Sequence, residues 1–139
     1  MNKMDKEKIL SYTNQRVIDR YIQEYNRDSQ FANDCFKNML IWLYVANRCN
    51  KQGVVAGMYD FIYELDNMWH TFLMFTRDYT NYCNENYGEF LHHEPMGLNT
   101  ESSTVEEKKL RLKNHLLILQ AEFGDDVVRL WCEEKKFAK

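Results

Sequence analysis

Breakers of regular structure are scarce in this chain, which has one proline, Pro95, and five glycines in 139 residues. So thin a supply excludes architectures built from many short strands and tight turns, and leaves long uninterrupted segments that favour helices. Basic charge is not in excess either. With 18 Lys and Arg against 21 Asp and Glu, the formal net charge is -3 and the pI about 5.8. There is thus no general electrostatic case for nucleic acid or an anionic membrane as a partner. No stretch approaches the roughly 18 apolar residues of a membrane span, and the opening MNKMDKEKIL lacks the apolar run of a secretory signal. A cytoplasmic location is expected. The four cysteines, Cys35, Cys49, Cys83 and Cys132, form no C-x-x-C pair, which excludes a zinc ribbon and a thioredoxin-type motif and suggests buried, reduced thiols. A Gly-rich phosphate loop, a nucleophile elbow and an H-E-x-x-H helix are all missing, so the common hydrolase and nucleotide-binding classes are disfavoured.

What is present reads as an all-α fold, a single domain over 1–139 with four main helices and a short C-terminal one. The length is enough to bury a core without a disulfide or metal staple. From about Asp5 to Tyr25, Leu10, Val17, Ile18, Tyr21, Ile22 and Tyr25 recur at helical intervals between charged residues. The polar run Asn26 to Ser29 ends this first helix, and Asp28 or Ser29 can cap the next. The second helix runs to about Asn50 with an apolar stripe so wide that a central position is expected. Lys51 to Gly57 is a connector with a short extended piece at Val54 and Val55. The third helix spans about Met58 to Tyr87, with Ile62, Leu65, Trp69, Phe72, Thr76, Tyr79 and Cys83 on its core stripe and Asp66, His70, Leu73 and Arg77 on a shoulder about 100° away. After a long loop, Thr104 and Glu107 form a capping box for the fourth helix, with Val105, Leu112, Leu116, Leu119 and Phe123 on one face and Gly124 closing it. Asp126 to Lys135 makes the last helix. His115 reads as a surface residue and Glu133 to Lys136 as a solvated end.

The chemistry concentrates between Asp66 and Pro95, which holds three of the four histidines. Asp66 and His70 are four residues apart, about 40° on one helix face, so carboxylate and imidazole can touch. Gly88 ends the helix, and His92 and His93 can return on the loop toward the same face. Adjacent residues of an extended segment point to opposite sides, so only one of the two joins the helix. Three ligands, Asp66, His70 and either His92 or His93, are the natural maximum for a metal, and zinc, iron and manganese are the candidates. Cys83 falls about 140° round a continuous helix from His70 and reads as a small packer, since no proline or glycine supplies a kink. Trp69, Phe72, Tyr79 and Phe90 read as core before pocket, with the Tyr79 and Thr76 hydroxyls turned onto the loop backbone. Arg77 is expected in a salt bridge with Asp66, Glu64 or Asp78.

The run Asp66-x-x-Trp69-His70-x-Phe72-x-x-x-Thr76-x-x-Tyr79-x-x-x-Cys83-x-x-x-x-Gly88-x-Phe90-x-His92-His93-x-Pro95 resembles the signature of the glycine-rich domain-containing protein-like family. Phe123-Gly124 followed by Trp131 is similar to that family's close. The glycine-rich part is missing here, so the resemblance implies the helical part alone. It sharpens the Asp66, His70, His92 and His93 cluster and implies no particular activity.

Two functions follow from the residues. The first is a small helical binding or accessory protein, in which the Asp/His cluster fastens the loop to the third helix and the surface there contacts another protein. The second is a metal-binding protein or metal-dependent enzyme that uses the same cluster as ligands, with a water or substrate at an open position. Cofactor identity and oligomeric state are not legible in the sequence.

Overall fold

The computed structural model describes residues 3–53, 59–93 and 104–139. The expected extended piece at Val54 and Val55, and Pro95, lie outside them. The described residues form seven α-helices and no strand: α1 (Lys3–Leu10), α2 (Gln15–Tyr25), α3 (Ser29–Lys51), α4 (Tyr63–Met74), α5 (Thr76–Tyr87), α6 (Val105–Phe123) and α7 (Asp125–Cys132), with a 3-10 turn at Asp60–Ile62 before α4. The all-α class is as expected. The number of helices is not, because two of the expected segments are each divided.

α3 is the central post. Every residue from Asn38 to Asn47 is buried, and α1, α2, α4 and α6 all pack on it. A helix apolar nearly all round is stable only when neighbours cover every face. Side-chain caps start three of the helices. The Asn14 side chain accepts the Val17 N–H at 3.3 Å, Asp28 accepts that of Phe31 at 2.8 Å, and Thr104 accepts that of Glu107 at 3.1 Å. Each satisfies a backbone donor that the first helical turn leaves unpaired.

Both divisions have tertiary support. The expected helix from Asp5 to Tyr25 is interrupted at residues 11–14, where Asn14 restarts the chain as α2 and the Tyr12 ring inserts between Phe72 at 5.8 Å and Tyr82 at 4.7 Å. The expected helix from Met58 to Tyr87 breaks at Phe75 (φ -92°, ψ 68°) without proline or glycine. Phe75 lies under the Arg16 guanidinium at 5.1 Å, and Asp78, in the first turn of α5, takes the Asn14 amide at 2.9 Å and Arg16 at 3.6 Å. The start of α2 thus grips the start of α5. Thr76, assigned to the core stripe, is exposed at the break.

Three further expectations are corrected. Val105 is 61% exposed and does not join the inner face of α6. His115 is not on the surface. It is 2% exposed and packs near Trp42 and Tyr59, with ring centroids 6.1 and 6.0 Å away, because α6 turns it onto α3. The chain end is also more than a solvated charge run, since Lys136 pairs with Asp34 at 3.0 Å and Phe137 is fully buried beside Phe31. All four cysteines are free, with Cys132 only partly buried.

A polar node joins these elements. Glu64, 4% exposed at the start of α4, accepts hydrogen bonds from the Tyr21 hydroxyl and from the Arg27 guanidinium at 2.5 Å. Its backbone N–H donates to the Phe137 carbonyl at 2.8 Å, and its carbonyl accepts the Cys35 thiol at 3.3 Å. Truncation of a buried carboxylate strands its donors, so Glu64→Ala is expected to cost about 3 kcal/mol in urea unfolding, against under about 1 kcal/mol for Glu106→Ala on the exposed start of α6. Burial depresses the His115 pKa from 6.5 to about 4. The unfolded chain therefore takes up this proton first, and the stability tied to neutral His115 is complete above pH 6.5 and lost as pH falls toward 4. The loss should be about 3 kcal/mol. His115→Leu is expected to flatten that part of the stability curve, measured against the parent chain by denaturant melts between pH 7 and 4.

Candidate metal centre

Asp66 and His70 stand one turn apart on α4, at its border with solvent. α5 then carries the chain away to Gly88, whose left-handed backbone (φ 71°) lets its N–H reach the Cys83 and Asn84 carbonyls at 3.1 and 3.2 Å. Such a cap stops a helix and turns the chain back, and a side chain at this φ would be strained. The returning segment is pinned at Leu91, which is buried and whose carbonyl accepts the Tyr79 hydroxyl at 2.6 Å. Tyr79 also accepts the Trp69 indole N–H at 3.0 Å. One phenol thereby ties α4, α5 and the returning loop together.

Two residues past Leu91 the chain delivers His93 to α4. Its Nε2 lies 2.6 Å from Asp66 Oδ1, and the His70 Nε2 lies 3.7 Å from that same oxygen. The two imidazole rings are 4.4 Å apart between centroids, and the His93 ring rests on Trp69 at 4.1 Å. Trp69 in turn packs on Trp42 at 4.7 Å. One ligand atom from each of Asp66, His70 and His93 falls within 4.8 Å of the others. The exposures are graded, with side-chain values of 12% for His93, 24% for Asp66 and 50% for His70. The cluster is thus backed by indole on one side and open to water on the His70 side.

His92 takes the opposite side of the loop. It is exposed and packs against Phe90, itself 38% exposed. The alternation of an extended segment brings His93 to the cluster and leaves His92 out. Trp69 and Tyr79 are buried, whereas Thr76 is exposed and, among the described residues, does not bond the loop as Tyr79 does. Arg77 makes no ion pair among the described residues, since Glu64 is held by Arg27 and Asp78 by Arg16. Cys83 stays apart from the cluster even though the helix does break between it and His70. It is fully buried, and burial pushes the thiol pKa up, against a nucleophilic role.

Tyr25 was not singled out by sequence. Burial first, and the carboxylates of Glu24, Asp66 and Glu64 among the lesser causes, raise its phenol pKa. Its sequence signal was only that of one more apolar position on α2, and nothing local ties it to Asp66, 41 residues on.

A family model described as UCP032817-like matches residues 5–123. It replaces the expected likeness to the glycine-rich domain-containing protein-like family, which rested chiefly on the run from Asp66 to Pro95, a helix pair and its loop. The match instead extends from α1 to the end of α6. No curated protein and no solved structure matches the chain.

Tyr79→Phe tests how the loop is held. Loss of the hydroxyl strands the Trp69 N–H and the Leu91 carbonyl, with an expected cost of about 2 kcal/mol. Hydrogen exchange should quicken in residues 89–93 before it does in α3. Unchanged protection there would show that the loop does not depend on this bond.

Proposed function

The chain belongs to the UCP032817-like family, a description that names no activity, so the reading rests on the site, and we propose that Asp66, His70 and His93 bind one divalent transition-metal ion. Zinc, iron and manganese are the candidates, because two neutral imidazoles and a carboxylate suit all three. The observation that carries this reading is the approach of three ligand atoms, from α4 and from a loop 27 residues on, to within 4.8 Å of one another. Ligands about 2.1 Å from a tetrahedral ion lie about 3.4 Å apart. The separations of 2.6 and 3.7 Å from Asp66 Oδ1 to the two Nε2 atoms bracket that value. Binding asks for a small opening of the Asp66–His93 pair and for the bridging proton to leave. The exposed side of His70 leaves positions for water or a substrate. There a bound ion would act as a Lewis acid, while Trp69 behind His93 keeps one side dry. A reducing cytoplasm suits this reading, as the four cysteines are free.

The second reading, a binding or accessory protein, is favoured by the 2.6 Å contact between His93 and Asp66. At that length it is a strong hydrogen bond, sufficient on its own to fasten the loop to α4.

Elemental analysis of protein purified without a histidine tag separates the two. The metal reading expects roughly one ion per chain, lost in His70→Ala and Asp66→Ala, with the chelated parent and chelated His70→Ala melting at similar temperatures. The fastening reading expects metal-free protein, no shift with chelator, a lower melting temperature for His93→Ala and none for His70→Ala. Metal-free protein that gains no ion on incubation with zinc, iron(II) or manganese(II) would overturn the first reading.

A further inference from the structure

α6 is apolar on more than one face. Its inner face sets His115 and Leu119 onto the core, yet Leu110 and Leu117 on its outer side are 58% and 51% exposed. The low amphipathicity is a physical oddity, because a helix with apolar residues on opposite faces is stable in water only when both are covered. Here α3 and α7 cover part of it. What is left is a groove of about 390 Å³ floored by Leu112, Leu116 and Leu117 of α6 and Val128 of α7, and flanked by Lys109 and Lys113.

The α6 positions follow the spacing i, i+3, i+4, i+7 and i+8, one continuous stripe rather than scattered side chains. As far as Gln120, which ends the lining, the stripe covers three turns, about 16 Å. That is the footprint of an amphipathic helix laid in a groove, anchored by apolar residues at matching intervals. Charge narrows the choice of occupant. Neither Lys109 nor Lys113 makes an ion pair among the described residues, so both are free to meet carboxylates. They are two like charges along an apolar stripe in a chain whose net charge is -3. A second copy laid α6 against α6 would offer these lysines no carboxylate from the lining, whose other positions are leucines, Gln120 and Val128.

We infer that the groove between α6 and α7 is a docking site for an amphipathic helix of a partner protein whose apolar stripe is bordered by Asp or Glu. The site is independent of the Asp66 cluster, and the inference stands whether or not that cluster holds a metal.

The test uses the full chain and two fluorescently labelled 18-residue helical peptides with the same leucine stripe, one flanked by Glu and the other by Lys, read by anisotropy. The acidic peptide is expected to bind at least about 10-fold more tightly, a difference of about 1.4 kcal/mol, and to weaken as salt is raised. Lys109→Glu with Lys113→Glu should reverse the preference, and Leu117→Ser should weaken the acidic peptide by about 10-fold or more. These side chains border an open groove, so the variants should keep the parental helicity and melting temperature, and peptide-induced NMR shifts should cluster on α6 and α7. Equal binding of the two peptides, or binding of neither, would overturn the inference. So would a chain that sediments as a dimer and becomes a monomer in Leu117→Ser, since the groove would then belong to a second copy.

Discussion

The Glu64 carboxylate, buried at the start of α4, is the constraint on which the arrangement of this molecule turns. A charge so placed is tolerated only where donors surround it, and here they come from Tyr21 of α2 and from Arg27 in the connector that follows it. The backbone of the same residue engages α3 through Cys35 and the chain end through the Phe137 carbonyl. Four parts of the chain are therefore referenced to one residue, and the rotation of α4 about its axis is fixed with them. Asp66 shares the first turn of α4 with Glu64, and His70 stands one turn beyond Asp66. Their orientation toward solvent is a consequence of where Glu64 is held.

The Asp66 cluster depends on a second set of contacts, between the returning loop and the helices beneath it. Gly88 reverses the chain, Leu91 buries its side chain, and Tyr79 accepts from Trp69 while donating to the Leu91 carbonyl. These fix the loop to within the length of a hydrogen bond before His93 makes its own contact. Trp42 and Trp69 form the apolar backing. A carboxylate between two imidazoles, dry on one side and wet on the other, is suited to hold either a proton or a cation. Which one it holds in the working protein decides between a fastening and a metal centre.

α6 shows a different logic. Its inner surface is committed to α3, with His115 held neutral by burial, while its outer leucines and lysines have no comparable use within the described fold. The two surfaces of this helix are chemically separable. Substitutions on the groove side need not disturb the core, and the Asp66 cluster lies on other elements altogether.

Much of the fold was legible in the residues. The scarcity of proline and glycine, the wide stripe of α3, the Thr104 cap and the D-x-x-x-H spacing are local signals, and local signals act through the backbone period and hydrogen bonding of the helix itself. They were enough for an all-α chain with α3 at its centre and for placing Asp66 and His70 on one face of α4. Alternation in an extended segment also limited the loop to one histidine of the pair. Only tertiary structure decided that this one is His93, that Phe75 breaks a helix without proline or glycine, that Phe137 is core, and that Tyr21, Arg27 and Glu64 form one node. Each of these depends on residues far apart in sequence. Asn14 grips Asp78 across 64 positions and Tyr21 meets Glu64 across 43, and no periodicity within a segment encodes which distant group will lie against it. His115 is the plainest case. Charged neighbours in sequence gave it the look of a surface residue, whereas its solvation is set by α3, a helix it meets only when the chain folds.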